Sequence, residues 1–551
     1  MKRKAEDMLP GLYSTNSAYN KVTVIRTQKD STDRLTKVGS APLGADGSIG
    51  AQDKTVFVCL GTDDVKRPFV GIGGSWTEAS AVTLQKLSKE KQEVALTAYF
   101  DKEKGLGFNF GRLHMGSCDF SVSHWNCGDI EEEEDMELKK FNIDKYHEAI
   151  FPLMKRAYEL AGAPMPLLVS PWSPPKWMKT TGLWHGNGRL RKDCGQVWAL
   201  HFAKFVKAIS AAGIPTWAVS VQNEPEAAQR WESCIYSAEE ERDFVRDHLG
   251  PTLAKEGLED VKIIIWDHNR DGMLERAAVA YGDPEAAKYI WGVGYHWYGD
   301  ARFESWPQRI EVPYKDRQKG HADIFELKAR LGFDNVRAVA DLRPDKHIIF
   351  TEGCQECGRD RKLEEVIGNW MTGERYAFNM IKDFASGCEG WIDWNLYLDE
   401  QGGPNHKDNF CSAPIICDTK KDEIIYEASY WYMGHFSKFI QPGAFKLLTA
   451  SSRDVLQVVG YANPDQTIVV IVLNQSEIEM NFWLKVGGST APTIAVELYS
   501  KPRSITTLIL EESKDPADIE AAAKARGTDV STEVGAVCSD TTTTEAKPAE
   551  A

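Results

Sequence analysis

The chain has 551 residues, 42% of them hydrophobic and 26% charged, the proportions of a globular protein with material for a large core. At roughly 150 residues per domain it divides into about three or four domains, fewer if one is a barrel, so a single small module is excluded. Lys and Arg total 65 against 81 Asp and Glu, a net charge of −16, which repels polyphosphate and argues against nucleic acid as a partner.

No run reaches the roughly 18 consecutive apolar residues that a membrane-spanning helix needs. The opening Met1-Lys2-Arg3-Lys4 is followed by Glu6 and Asp7 rather than an apolar stretch, so it does not read as a secretory signal and the expected location is cytoplasmic. The eleven cysteines, an odd number, fit reduced thiols better than a disulfide framework. Cys354 and Cys357 form the one CxxC spacing. Without a second pair or a thioredoxin context it predicts neither a metal site nor redox chemistry.

In chain order, short β-type runs at 20–26 and 55–60 come first. From 69 to 440 apolar runs then alternate with segments of helical period, the signature of repeated βα units. Eight strands are expected: Phe69 to Gly73, Gly107 to Arg112, Leu167 to Ser170, Thr216 to Val221, Val261 to Trp266, Ile290 to Tyr295, His347 to Thr351 and Gly390 to Trp394. Between strands three and four, Trp198, Phe202, Phe205, Val206 and Ile209 share one helical face, with Gly213 as the stop. Ser237 and Glu240 form a capping box ahead of Phe244 and Val245. A long polar excursion at 303–345 holds one expected helix, His321 to Leu331. After the barrel, Leu456 to Gly460, Thr467 to Leu473 and Asn481 to Val486 are again β-type runs.

These elements predict an α/β fold: a (β/α)8 TIM barrel at 69–440 with an appended β-sandwich made from both chain ends, the N-terminal segment 1–68 and residues 441–511. Residues 512–551, acidic and rich in Ala and Thr, are expected to be a disordered tail.

Barrel active sites lie where the strands end, so the polar residues closing each apolar run are the candidates. Strand two leads to Arg112 and Asp119, strand three to Ser170-Pro171-Trp172 and strand four to Gln222-Asn223-Glu224. Strand six closes on His296-Trp297-Tyr298, strand seven on Thr351-Glu352 and strand eight on Asp393-Trp394-Asn395. Two glutamates and several tryptophans on one rim suit glycoside hydrolysis. That reaction takes one carboxyl group to protonate the leaving oxygen and one to attack or to activate water. Aromatic faces suit the apolar side of a sugar ring, and amides, carboxylates and guanidinium suit its hydroxyl groups. Taken singly, a glutamate at a strand end is more often an ion-pair partner, and Arg112 and Tyr298 also read as structural hydrogen bonders.

With these stretches the sequence resembles glycoside hydrolase family 30, most closely its glucosylceramidase (acid β-glucosidase) branch. The matching runs begin at Gly71-Ile72-Gly73-Gly74-Ser75-Trp76 and Met115-Gly116-Ser117-Cys118-Asp119-Phe120 and continue through Ser170-Pro171-Trp172-Ser173-Pro174 and Trp217 to Pro225. Tyr295-His296-Trp297-Tyr298, Asp393-Trp394-Asn395, Gly402-Gly403-Pro404-Asn405 and Gly434 to Ile440 complete them.

The resemblance implies a retaining mechanism without cofactor or metal, with Glu352 as nucleophile and Glu224 as general acid/base. The pKa of Glu224 would be raised by burial or by the charge of Glu352. It implies that Asn223 bonds the sugar 2-OH, that Asp119 and Trp172 grip glucose hydroxyl groups, and that Trp394 walls the pocket. Asn409 matches a pocket position, Tyr298 would lie against the nucleophile, Arg112 would keep Glu352 ionised, and His296 would support the site.

The chain departs from the lysosomal members in lacking a legible signal sequence, in its longer segment after Tyr298 and in Gly353 to Asp360; its one glycosylation sequon is Asn474-Gln475-Ser476. The expected substrate is glucosylceramide or a related β-glucoside, which leaves room for peripheral membrane contact. Other specificities of the family (β-1,6-glucanase, β-xylosidase, xylanase) and a catalytically silent sugar-binding protein remain the alternatives.

Overall fold

The structure, a computed structural model, describes residues 19–45, 54–62, 67–128, 134–298, 322–357, 363–488 and 491–527. The chain forms two compact units, one of Arg67–Ala444 and one of Met1–Lys66 together with Phe445–Ala551. Among the described residues no helix is long and apolar enough to cross a membrane.

The larger unit is a closed barrel of eight parallel strands: β1 (Gly71–Ser75), β2 (Phe110–Met115), β3 (Leu167–Pro171), β4 (Ala218–Ser220), β5 (Lys262–Asn269), β6 (Ile290–His296), β7 (His347–Glu352) and β8 (Gly390–Asn395). Each starts within three residues of its expected position. Phe110, Leu168, Ala218, Ile264, Ile349 and Ile392 pack together inside the barrel, so the interior is a filled apolar core and the rim alone is open to chemistry. The expected helix face is buried along Gly195–Ala211, and the Ser237–Glu240 capping box forms.

Three β-bulges lie toward the C-terminal ends of the strands. Gly294 pairs with Trp266 and Tyr295 with His268, leaving Asp267 unmatched in β5. Tyr295 pairs with Phe350 and His296 with Glu352, which skips Thr351; Asp393 pairs with Gly74 and Asn395 with Ser75, which skips Trp394. An extra residue reverses the alternation of side chains beyond it and so re-aims them. Trp266, Asp267 and Glu224 also adopt left-handed backbone, with φ of 73°, 48° and 49°, a conformation costly for residues with a Cβ and tolerated where the surroundings enforce it.

Two small sheets were not foreshadowed by the sequence. Tyr397–Asp399, Ile415–Asp418 and Glu423–Tyr426 form one, and Gln355–Glu356 pairs with Cys411–Ser412 in the other, tying the loop after β7 to the segment after β8. Both cysteines of the CxxC spacing, Cys354 and Cys357, are buried and unbridged. Residues 322–331 of the expected helix belong to a longer one, Ala322–Leu342; residues 303–321 of the excursion lie outside the described residues.

The second unit is a ten-stranded ladder drawn from both chain ends, with Lys21–Gln28 antiparallel to Ser504–Glu511. Its buried side chains, among them Val22, Val56, Val58, Val470, Val472, Leu484 and Leu508, gather into one core, as the inner faces of a β-sandwich do. Asn474 is fully buried, and its amide nitrogen donates to the carbonyls of Ile478, Ser500 and Lys501 at 3.0–3.3 Å.

The expectation of a disordered tail from 512 onward is corrected at its start. Pro516–Arg526 is a helix, capped by Asp515 and ended by Gly527 at φ 71°. Lys21 pairs with Asp518 at 2.8 Å, and Arg526 donates to the carbonyls of Tyr19 and Leu43. Composition averaged over the whole tail hid an alanine-rich stretch with its own start and stop signals. Residues 528–551 lie outside the described residues.

Gly73 marks the tightest approach in the barrel, because a Cβ there would stand 1.5 Å from the Phe110 carbonyl oxygen. We expect Gly73→Ala to cost about 3 kcal/mol or more by forcing β1 and β2 apart. Urea unfolding followed by tryptophan fluorescence checks this, and a midpoint equal to that of the unaltered chain would contradict it.

Candidate active site

The rim opens into a cleft of about 220 Å³ whose walls include Asp119, Trp172, Asn223, Glu224, Tyr298, Glu352, Trp394 and Asn409. Arg112 and His296 lie beneath it, fully buried. All ten residues singled out in the sequence therefore meet at one end of the barrel.

Arg112, on β2, organises the floor. Its Nε donates to Ser170 Oγ at 3.0 Å and its Nη2 to Asn223 Oδ1 at 2.7 Å and Asp267 Oδ2 at 2.9 Å, while Nη1 donates to Glu352 Oε2. The guanidinium carbon lies 4.7 Å from the ring centre of Trp172 and 5.7 Å from that of Trp394. The two indoles are stacked, 5.2 Å apart and 19° from parallel. With Oδ1 of Asn223 held by Arg112, its NH2 is the end left to donate into the cleft.

His296, on β6, bridges two carboxylates. Its Nδ1 lies 3.2 Å from Glu224 Oε1 and its Nε2 lies 3.0 Å from Asp267 Oδ1. Burial pulls the imidazole down, but the charges and hydrogen bonds of Glu352, Asp267 and Glu224 outweigh it and raise it to about 9. Burial likewise pushes Asp267 up and is overcome by Arg112, His296 and Ser220, which leave it well below the usual carboxylate range.

The two glutamates differ from expectation in electrostatics. Burial raises Glu224, yet the hydrogen bond of His296 and the charges of His268, His296 and Arg112 bring it to about 2. Glu352 is raised: burial and the negative charge of Glu224 exceed the pull of His296 and Arg112. The proton of the His296–Glu224 pair thus rests on the histidine, and Glu224 is the more acidic glutamate. The expectation that Glu224 is raised is corrected, because the hydrogen bond of His296 and the positive charges beside the carboxylate outweigh its burial.

Tyr298 lines the same cleft as Glu352, and its hydroxyl donates to Cys354 Sγ at 3.3 Å. Its backbone N–H is fixed by Asn269 Oδ1 at 2.8 Å.

In the same cleft Asp119 Oδ2 accepts from Asn409 Nδ2 at 3.0 Å and Asn405 Nδ2 at 3.3 Å. Burial raises this carboxyl to about 7, against the pull of the Asn409 bond. A buried cluster that sequence reasoning missed supports it. Glu232 accepts from Ser117 Oγ at 2.6 Å, pairs with His124 Nδ1 at 2.8 Å and faces His406 Nε2 at 3.5 Å. His406 returns its backbone N–H to the Asp119 carbonyl at 3.2 Å. Glu232 thus ties the loops after β2, β4 and β8 around Asp119. Asp267 and His268 were also missed, although they close the apolar run Ile263-Ile264-Ile265-Trp266 just as other candidates close theirs.

A parallel barrel whose rim gathers carboxylates, amides and stacked indoles in one cleft is built for carbohydrate chemistry. Known proteins agree. The Glycosyl hydrolase family 30 TIM-barrel domain matches residues 69–325 and 333–440, and the family's beta sandwich domain matches 443–508. The lysosomal acid glucosylceramidase of Mus musculus is 34% identical over 74% of this chain and 75% of its own. The endo-1,6-beta-D-glucanase of Neurospora crassa is 25% identical over 79% and 84%. Among solved structures, SrfJ from Salmonella typhimurium is similar with a TM-score of 0.75 and 30% identity, covering 89% of this chain and 99% of that one. The chain belongs to glycosyl hydrolase family 30 and is a glycoside hydrolase with glucosylceramidase homologues.

Because Glu232 reaches the cleft only through Asp119 and its loops, Glu232→Gln is expected to act on binding. KM for an aryl β-glucoside should rise about fivefold, on the order of 1 kcal/mol, with kcat changed less than about twofold. An equal loss in kcat would contradict a positioning role, and Glu232→Asp should restore part of the affinity.

Proposed function

We propose that the protein is a retaining β-glucosidase acting on glucosylceramide or a related β-glucoside, with Glu352 as nucleophile and Glu224 as general acid/base. The observation that carries this reading is that Glu224 and Glu352 line one cleft and are linked by hydrogen bonds through Arg112, Asp267 and His296. The stacked indoles and the amide-held Asp119 supply a sugar-binding wall and a hydroxyl acceptor.

Retention requires the two carboxyl groups about 5 to 5.5 Å apart across the anomeric carbon. In the first step Glu352 bonds that carbon as Glu224 gives a proton to the departing glycosidic oxygen. In the second, Glu224 takes a proton from water as the water oxygen displaces Glu352. Arg112 favours the carboxylate form of Glu352 as it attacks and again as it leaves.

His296 supplies what Glu224 lacks in the empty site. Covering the cleft with substrate displaces water and weakens the charged pair. The proton then passes from His296 Nδ1 to Glu224 Oε1, a separation of 3.2 Å, and from there to the leaving oxygen. Asn223 donates to the 2-OH beside the anomeric centre.

Three measurements test the reading. Glu352→Gln should abolish turnover, whereas Glu224→Gln should slow it severely yet recover with azide on an activated aryl glucoside, giving the β-glucosyl azide. Undiminished activity in either variant would overturn the roles. The imidazole near 9 is raised above its ordinary value, so the shared proton is present below that pH and lost above it. We therefore expect kcat/KM to fall as pH rises through about 9, and His296→Gln to bring that limb to lower pH. Side-by-side hydrolysis of fluorescent glucosylceramide, aryl β-glucoside, aryl β-xyloside and β-1,6-glucan fixes the substrate. Preference for either of the last two would replace the glucosidase reading with another specificity of the family.

A further inference from the structure

We propose that Glu224, His268 and His296 form a binding site for one divalent cation of the zinc class, and that occupation of this site stops hydrolysis. The inhibitory consequence rests on the role proposed for Glu224. The binding itself does not.

The three side chains present one oxygen and two imidazole nitrogens, all within 4.8 Å of one another. Glu224 Oε1 lies 3.2 Å from His296 Nδ1 and 3.8 Å from His268 Nδ1. Around a tetrahedral zinc with bonds of about 2.0 to 2.1 Å, ligand atoms sit about 3.3 Å apart, so small side-chain rotations close the set. Two imidazoles and a carboxylate suit zinc, cobalt or nickel rather than magnesium, which takes oxygen ligands.

Two further features point to a cation. His268 Nδ1 is buried and has no hydrogen-bond partner, an arrangement that costs free energy until something occupies its lone pair. It belongs to the residue that follows the bulge at Asp267, where β5 turns its end toward the cleft, and the proposed reaction gives it no task. Behind His296, Asp267 Oδ1 lies 3.0 Å from Nε2. A carboxylate accepting from the far nitrogen of a histidine fixes the ring, the usual support of a zinc-bound imidazole, and a metal at the near nitrogen replaces the proton shared with Glu224, which is released to water.

A cation held there would take Glu224 Oε1 and His296 Nδ1, the two atoms between which the catalytic proton moves. The site is therefore a reversible lock on the acid/base, set by the free concentration of the metal.

The test uses the full chain freed of metal by chelation. Calorimetric titration with ZnCl2 should show one site of micromolar affinity, with no heat from MgCl2, and CoCl2 should give the visible absorption of a low-symmetry Co2+ complex. His268→Asn, on β5, and Glu224→Gln, in the turn after β4, should each weaken zinc at least tenfold, and the exposed His147→Ala should leave it unchanged. Hydrolysis of an aryl β-glucoside should stop over the same zinc range and return with EDTA. Unaltered zinc affinity in either site variant, or no stoichiometric binding to the unaltered chain, would overturn the site. Zinc binding that obeys the variants in a protein active on no glycoside would leave the site standing and remove the glucosidase reading instead.

Discussion

The reactive end of this barrel depends on one buried guanidinium. Taking an isolated charge out of water costs several kcal/mol even after relaxation, and Arg112 is fully buried. The cost is offset because each of its three nitrogens has an acceptor and its plane lies beside two indoles. Those acceptors come from the ends of four other strands or the turns just beyond them, so one side chain sets their mutual positions. A lysine would carry the charge but not the planar fork, and could hold only some of these partners in place.

From that guanidinium the charge pattern follows outward. Asp267 is kept ionised by Arg112 on one side and by His296 on the other. Its negative charge in turn helps make His296 a cation, and that cation pulls Glu224 down. Glu352, pressed by burial and by its fellow glutamate, moves the other way. The two glutamates thus acquire unlike affinities for protons from their neighbours alone, which is how a pair of identical groups divides two roles. The mechanism proposed above needs the reverse division, and the histidine bridge is the element through which a proton would reach Glu224.

Much of this was legible from residue order. Apolar runs of strand length separated by helical periods predicted the eight strands, and reading the polar residue at the end of each run led to Arg112, Asn223, Glu224, His296, Glu352 and Trp394. What residue order does not carry is a shift in pairing register. Asp267 occupies a bulge that changes which way β5 presents its side chains, and no local composition announces it. Glu232 was invisible for another reason: its partners Ser117, His124 and His406 come from two other loops, and only tertiary structure assembles them. The sign of the Glu224 shift was missed because burial, which is inferable for a rim carboxyl, competes with the His296 hydrogen bond and with positive charges whose distances are not. At the C-terminus the averaged composition concealed a helix whose Lys21 and Tyr19 contacts come from the far end of the chain.

Asn474 shows how one amide can constrain where the protein is made. Its single nitrogen serves three carbonyls inside the sandwich, and a sugar linked to that nitrogen would leave one N–H for all three and add bulk where the side chain is wholly enclosed. Transfer of an oligosaccharide to the nascent chain in the endoplasmic reticulum would precede folding and block the closing of this turn. Production in a host that keeps the polypeptide away from that machinery, or with Ser476 replaced by alanine in one that does not, avoids the conflict.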